Sequence, residues 1–158
     1  MRTDNRSIKN TIVTIYFVFM VIALLFVTVF SSFHLIENYI AHIGLFLLLI
    51  LIGIYVVARF FEYDSDSSKL IITSKGFILT EYINYREYKK EIEKRTVISF
   101  KIYNFLFYKS LVILRRSGDK VNVVKERFNI TLLKKKKINY IKQSLRKIIK
   151  ENKKAKLG

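Results

Sequence analysis

Few side chains in this sequence are of a type that does chemistry, and their spacing limits what they do. There is no Cys, which excludes disulfides, thiolate metal sites and a thiol nucleophile. Two His residues, His34 and His42, flank Glu37. A metal centre needs more ligands than these three groups supply, so no metal is expected. Glu91 and Glu93 are spaced as a carboxylate pair, yet they stand among Lys residues and read as a solvated face rather than an acid–base couple. The chain has no Gly-rich phosphate loop, no HExxH and no GxSxG. No catalytic residue, no enzyme activity and no cofactor are therefore expected.

What is left is ionic chemistry. The chain carries 29 Lys plus Arg against 12 Asp plus Glu, a formal net charge of +17. Only Arg2, Arg6, Lys9 and Arg59 among the cations, and Asp4 and Glu37 among the acids, precede Glu62, so Glu62–Gly158 holds +15 of that charge. Lys134, Lys135, Lys136 and Lys137 form the densest run, and Lys142 and Arg146 extend it. These six are the expected contacts to anionic lipid head groups. A Lys-rich composition without Pro, Trp or Cys is also what an AT-rich genome imposes, which accounts for part of the charge.

The elements that must position this charge begin with two apolar runs. Thr11–Phe33 has no charged residue in 23 positions and Tyr39–Ala58 none in 20. As helices they reach roughly 35 and 30 Å, against a hydrocarbon core of about 30 Å. The sequence therefore predicts a transmembrane hairpin, with a tail over 1–10, spans over 11–33 and 39–58, and a hinge over 34–38. Arg2, Arg6, Lys9 and Arg59 flank the runs and the hinge has only Glu37, which puts both termini in the cytoplasm and makes the protein multi-pass in the cell membrane. The first run exceeds the apolar region of a cleaved signal, so an anchor is preferred. Neither span holds a charge or a GxxxG, which weighs against a channel or transporter.

A water-soluble domain is expected over 62–158. Glu62–Ser68 reads as a short polar connector. Lys69–Thr73 and Phe77–Ile83 read as a hairpin turning at Ser74, Lys75 and Gly76, and Ser110–Arg115 with Lys120–Val124 as a second. Val97–Tyr103 alternates like a strand, while Tyr85, Tyr88 and Ile92 stay open between helix and strand. Phe105, Leu106, Phe107 and Tyr108 form an apolar link, read first as core and second as a loop that dips into an adjacent bilayer. Ile138, Ile141, Leu145, Ile148 and Ile149 recur at helical spacing, predicting an amphipathic helix over about 132–152.

The segments KLIITSKGFIL (Lys69–Leu79), IEKRTVISFKI (Ile92–Ile102) and SLVILRRSGDKVNV (Ser110–Val123) follow a transmembrane hairpin. In this the chain resembles small bacterial membrane proteins with a pleckstrin-homology-like domain. The resemblance covers about half of the soluble part, and Glu93 and Lys94 stand where such domains often have Pro or Trp. It implies an α+β cytosolic domain of antiparallel sheets, as a partly open barrel or two packed sheets, closed at one end by the C-terminal helix. It implies no common catalytic residues.

The expected function is a non-enzymatic, membrane-anchored binding or scaffold protein that presents a basic domain to the inner leaflet or to a membrane partner. The alternative is an immunity-type or accessory subunit acting through its hairpin. Expected partners are the bilayer with its anionic lipid, and a second copy or another membrane protein. Tethering and the lack of a known motif weigh against nucleic acid.

Overall fold

The structure, a computed structural model, describes residues 1–32, 37–78, 88–117 and 122–155. Two long helices, α1 (Lys9–Ser32) and α2 (Glu37–Val57), pack against each other as an antiparallel pair. Both are free of Pro and nearly free of charge, so nothing breaks the helical ladder. Thr28 satisfies its hydroxyl on the Leu24 and Leu25 carbonyls, each at 3.0 Å. Arg6–Val29, a short 3-10 turn at Arg6–Ile8 running into α1, is long and apolar enough to cross a membrane, with mean hydropathy 2.9, while the apolar stretch of α2, His42–Val57, is shorter.

The other described residues fold mainly into two antiparallel sheets and one helix. The first sheet has the order β1 (Arg2–Asp4), β2 (Arg59–Asp64), β3 (Lys69–Gly76), β4 (Tyr88–Glu93), and the second β5 (Val97–Phe105), β6 (Tyr108–Ser117), β7 (Asn122–Asn129). The helix α3 (Lys135–Lys154) ends the described chain. A core of Phe61, Tyr63, Leu70, Ile72, Ile92, Leu111, Ile113 and Phe128 lies between the sheets. Ile138, Ile141, Leu145 and Ile148 of α3 complete it, so the stripe read in the sequence is the buried face. Phe61 and Phe128 meet edge to face across the two sheets at 6.4 Å.

The strand registers give the domain a near end, next to the helices, and a far end. Arg59 follows α2 directly and pairs with Gly76, while Asp64 and Lys69 lie at the far end with Glu93. The β5–β6 turn falls at the near end, because Phe107 and Leu132 share an apolar cavity with Ile12 of α1 and Val57 of α2. From there α3 runs outward, reaching Ser65 through Ser144 and the carbonyls of Lys94 and Val97 through Asn152.

Several expectations are corrected. The tail over 1–10 is not a free flank: it supplies β1, and Thr3 pairs with Tyr63. A three-residue strand with one inward side chain has too little alternation to stand out. The expected connector Glu62–Ser68 gives its first three residues to β2, which starts at Arg59 with only Ala58 between it and α2, and residues 65–68 join β2 to β3. The expected turn at Ser74, Lys75 and Gly76 is the end of β3, because Phe61, Phe60 and Arg59 offer it backbone partners and pairing overrides the local turn preference. Its expected second arm, Phe77–Ile83, lies mostly outside the described residues, and Phe77 and Ile78 are buried against the helix ends. Of the stretch left open between helix and strand, Tyr88 and Ile92 belong to β4, and Tyr85 lies outside the described residues. The apolar link at Phe105–Phe107 is no core segment but an exposed turn, and α3 begins at Lys135 rather than 132.

Candidate functional site

The near end of the domain holds the features that bear on function, beginning with how the helical pair is mounted. Asn5, only 3% exposed, sits where β1 hands over to α1. Its side-chain Nδ2 donates to the Arg59 carbonyl at 2.9 Å and its Oδ1 accepts from the Phe61 N–H at 2.9 Å. Its own backbone N–H donates to the Phe61 carbonyl at 3.2 Å. One amide thus ties the entry of α1 to the exit of α2, satisfying buried backbone groups that the turn from helix to strand leaves over. Two further bonds hold the last turn of α2: Asn129 Nδ2 donates to the Val56 carbonyl at 3.4 Å, and the Phe77 N–H to the Ala58 carbonyl at 2.9 Å. The helices are therefore built into the sheet rather than hung from a linker.

Beside this junction the β5–β6 hairpin turns on two residues, since Phe105 pairs with Tyr108. Its tip is apolar and open: Phe105, Leu106 and Phe107 are 72%, 79% and 82% exposed. Leu106 has φ 39°, the left-handed region in which Gly is the ordinary choice. Three large apolar side chains in water, one of them on a strained backbone, oppose both solubility and local stability.

Of the six expected lipid contacts, Lys134, Lys135 and Lys136 are exposed at the start of α3, at the near end. Lys137 is turned inward and donates to the backbone carbonyl of Asp4, with its carboxylate 3.8 Å away. Lys142 and Arg146 lie about 12 and 18 Å further along the helix axis than Lys134, at 1.5 Å rise per residue. The near end gains cations that sequence reading did not group with the Lys run: Lys9 opens α1, Arg59 follows α2 and Lys109 follows the β5–β6 turn.

Away from this end, Glu126 is 5% exposed and joins the two sheets. It accepts from the Tyr88 hydroxyl at 2.8 Å and from Arg115 at 3.1 and 3.2 Å, with Lys90 Nζ at 3.1 Å. Burial pushes its carboxyl up, but the bonds from Tyr88, Lys90 and Arg115 outweigh burial and hold it below the usual Glu range. A lowered pKa contributes stability that is present above the ordinary Glu pKa and is lost as pH falls through the lowered one. Glu126→Gln is thus expected to cost about 1–3 kcal/mol at neutral pH. In urea titrations its midpoint should approach that of the unaltered protein in acid; a constant gap at every pH would contradict this. The arrangement reads as a brace, since every oxygen is engaged by the protein itself. The signal for it was present in the sequence: Val124, Glu126 and Phe128 share one face of a strand by their spacing of two, which aims the carboxylate at the core side.

Glu91 lies beside Lys69 at 3.3 Å and Lys89 at 3.9 Å, and Glu93 beside Arg95 at 4.0 Å, all exposed and, apart from Arg95 in the turn after β4, on strands. His34 lies outside the described residues, and among the described residues no three His, Cys, Asp or Glu groups come together as metal ligands. The chain matches no protein-family model, and no curated protein or solved structure shows significant similarity to it.

Proposed function

We propose that the chain is a non-enzymatic, membrane-anchored binding or scaffold protein, in which a two-helix hairpin crosses the cell membrane and holds a basic, pleckstrin-homology-like domain against the inner leaflet. The observation that carries this reading is the pairing of β1 with β2 on either side of the helical pair. Paired strands occupy one side of a membrane. If α1 crosses, α2 must therefore cross back, although its apolar stretch is the shorter. The outer sides of both helices support immersion in lipid: Leu24, Leu25, Leu48 and Leu49 are 52–60% exposed, an apolar surface too large for water. Arg6, Lys9 and Arg59 at the sheet end, against Glu37 at the other, support cytoplasmic termini. Four strands, then three, then a closing helix support the pleckstrin-homology-like assignment.

In this reading the Phe105–Phe107 turn dips into the interface, which gives its exposed side chains a partner and its strain a purpose. Lys134, Lys135 and Lys136 then face anionic head groups. Lys142 and Arg146, further out than the screening length of about 8 Å, contribute less.

The test uses a chain in which a short turn replaces both helices, so that binding to vesicles depends on the domain alone. Binding should require anionic lipid and fall as salt rises. Changing Lys134, Lys135 and Lys136 to Gln should weaken it by up to about 3 kcal/mol, at about 1 kcal/mol per cation near the surface. Leu106→Gly should stabilise the same domain by about 1 kcal/mol through relief of the positive φ, while reducing its vesicle binding. Salt-independent binding, or equal binding by all three forms, would leave the cations without a lipid role and favour a protein partner.

A further inference from the structure

We infer that the apolar cavity at the foot of the helices is a binding site for one acyl chain of an anionic phospholipid, whose phosphate meets cations at the cavity rim. This deepens the membrane-anchored reading and rests on it. The cavity, an open groove of about 570 Å³, is lined by Ile12, Ile15, Ile50, Gly53, Ile54, Val57, Ala58, Phe107 and Leu132. Its size falls within the range of ligand sites, about 300–1,000 Å³. None of the nine lining residues has a polar side chain, so water that entered would find no side-chain partner, and hydrocarbon is the filling that suits it.

Shape and charge narrow the occupant. Along α2 the lining runs from Ile50 to Ala58, roughly 12 Å at 1.5 Å per residue, which is the direction acyl chains take beside a spanning helix. The helix wall is thinned at Gly53, where an added Cβ would meet no atom within 4 Å. Each lining segment carries a cation at its domain end: Lys9 three residues before Ile12, Arg59 beside Ala58, Lys109 two after Phe107 and Lys134 two after Leu132. An apolar slot whose lining segments each lead within three residues to a cation on the domain side matches a lipid with a negative head group. It opposes a second copy of this chain, which would bring its own +17 to the same rim.

The test places the purified full-length protein in bilayers containing phosphatidylglycerol with a photoactivatable group in its acyl chain. Labelled peptides should be those holding Ile50–Ala58 and Phe107, and unlabelled phosphatidylglycerol should compete where phosphatidylcholine does not. Gly53→Leu, which fills the slot without disturbing a packed contact and improves helix propensity, should lower labelling there about tenfold, a difference of about 1.4 kcal/mol. Arg59→Gln with Lys134→Gln should lower the preference for the anionic lipid while leaving labelling by phosphatidylcholine in place. Labelling spread evenly over Leu24, Leu25, Leu48 and Leu49 and unchanged in Gly53→Leu would overturn the site, as would a crosslink between two copies at Phe107. Membrane integration is followed separately by alkaline extraction: a chain that resists extraction yet shows no localised label loses only this site, whereas one that is extracted loses the anchored reading as well.

Discussion

Replacing Asn5 with Leu is expected to lower the melting temperature of the detergent-solubilised protein by roughly 10–20 °C. Asn5 donates to the Arg59 carbonyl and accepts from the Phe61 N–H in a buried corner, and Leu fits neither. Each orphaned backbone group costs about 1–3 kcal/mol, and 1 kcal/mol moves the midpoint of a small domain by about 4–8 °C. Asn5→Asp separates the two bonds, since a carboxylate still accepts from Phe61 but does not donate to Arg59, and it should lose an intermediate amount. The effect should extend beyond stability. With the clasp gone, the entry of α1 is no longer tied to β2, and amide exchange should rise over Arg2–Asp4 before it rises in β6. A midpoint within about 2 °C of the unaltered protein would show that the corner is not sealed from water.

The second large effect concerns where the domain begins. A fragment starting at Glu62, the natural cut if the polar stretch were a connector, is expected not to fold. It discards β1 and the first half of β2, including Phe61, which is fully buried in the core. Loss of a buried Phe side chain alone costs about 3–5 kcal/mol from a total stability of about 5–15 kcal/mol. A second chain, in which a short turn joins Ile8 to Ala58 and the helices are omitted, keeps both strands and the Asn5 clasp. It should give a cooperative melt and a β-rich far-ultraviolet spectrum with a helical minority. If the Glu62 fragment melts cooperatively and the joined chain does not, β1 is not part of the domain.

These two predictions fall where sequence and structure part. The long apolar runs, the Val97–Tyr103 and Ser110–Arg115 strands and the terminal amphipathic helix were legible, because each repeats a period over enough residues to exceed noise. β1 was not, since Arg2, Thr3 and Asp4 place a single side chain inward and their partner lies about 60 residues away across the helices. The Ser74–Gly76 stretch has turn chemistry, yet its fate was decided by Arg59–Phe61, which the sequence presented as the end of a span. For the near end, the Lys134–Lys137 run was visible as composition. That Lys137 turns to Asp4, and that Lys9, Arg59 and Lys109 gather at the same end, depends on the fold and left no local trace.

The central claim is that the helical pair crosses a membrane and returns, so that the strands before and after it lie on one side. Because the chain has no native Cys, single Cys residues at Ser7, Glu37 and Ser67 report topology directly. Intact cells, after permeabilisation of an outer membrane where there is one, are treated with an impermeant thiol reagent. Glu37→Cys should be labelled, and Ser7→Cys and Ser67→Cys should be labelled only after the inner membrane is opened. Ser7 and Ser67 on opposite sides, or all three reacting alike in intact cells, would contradict it.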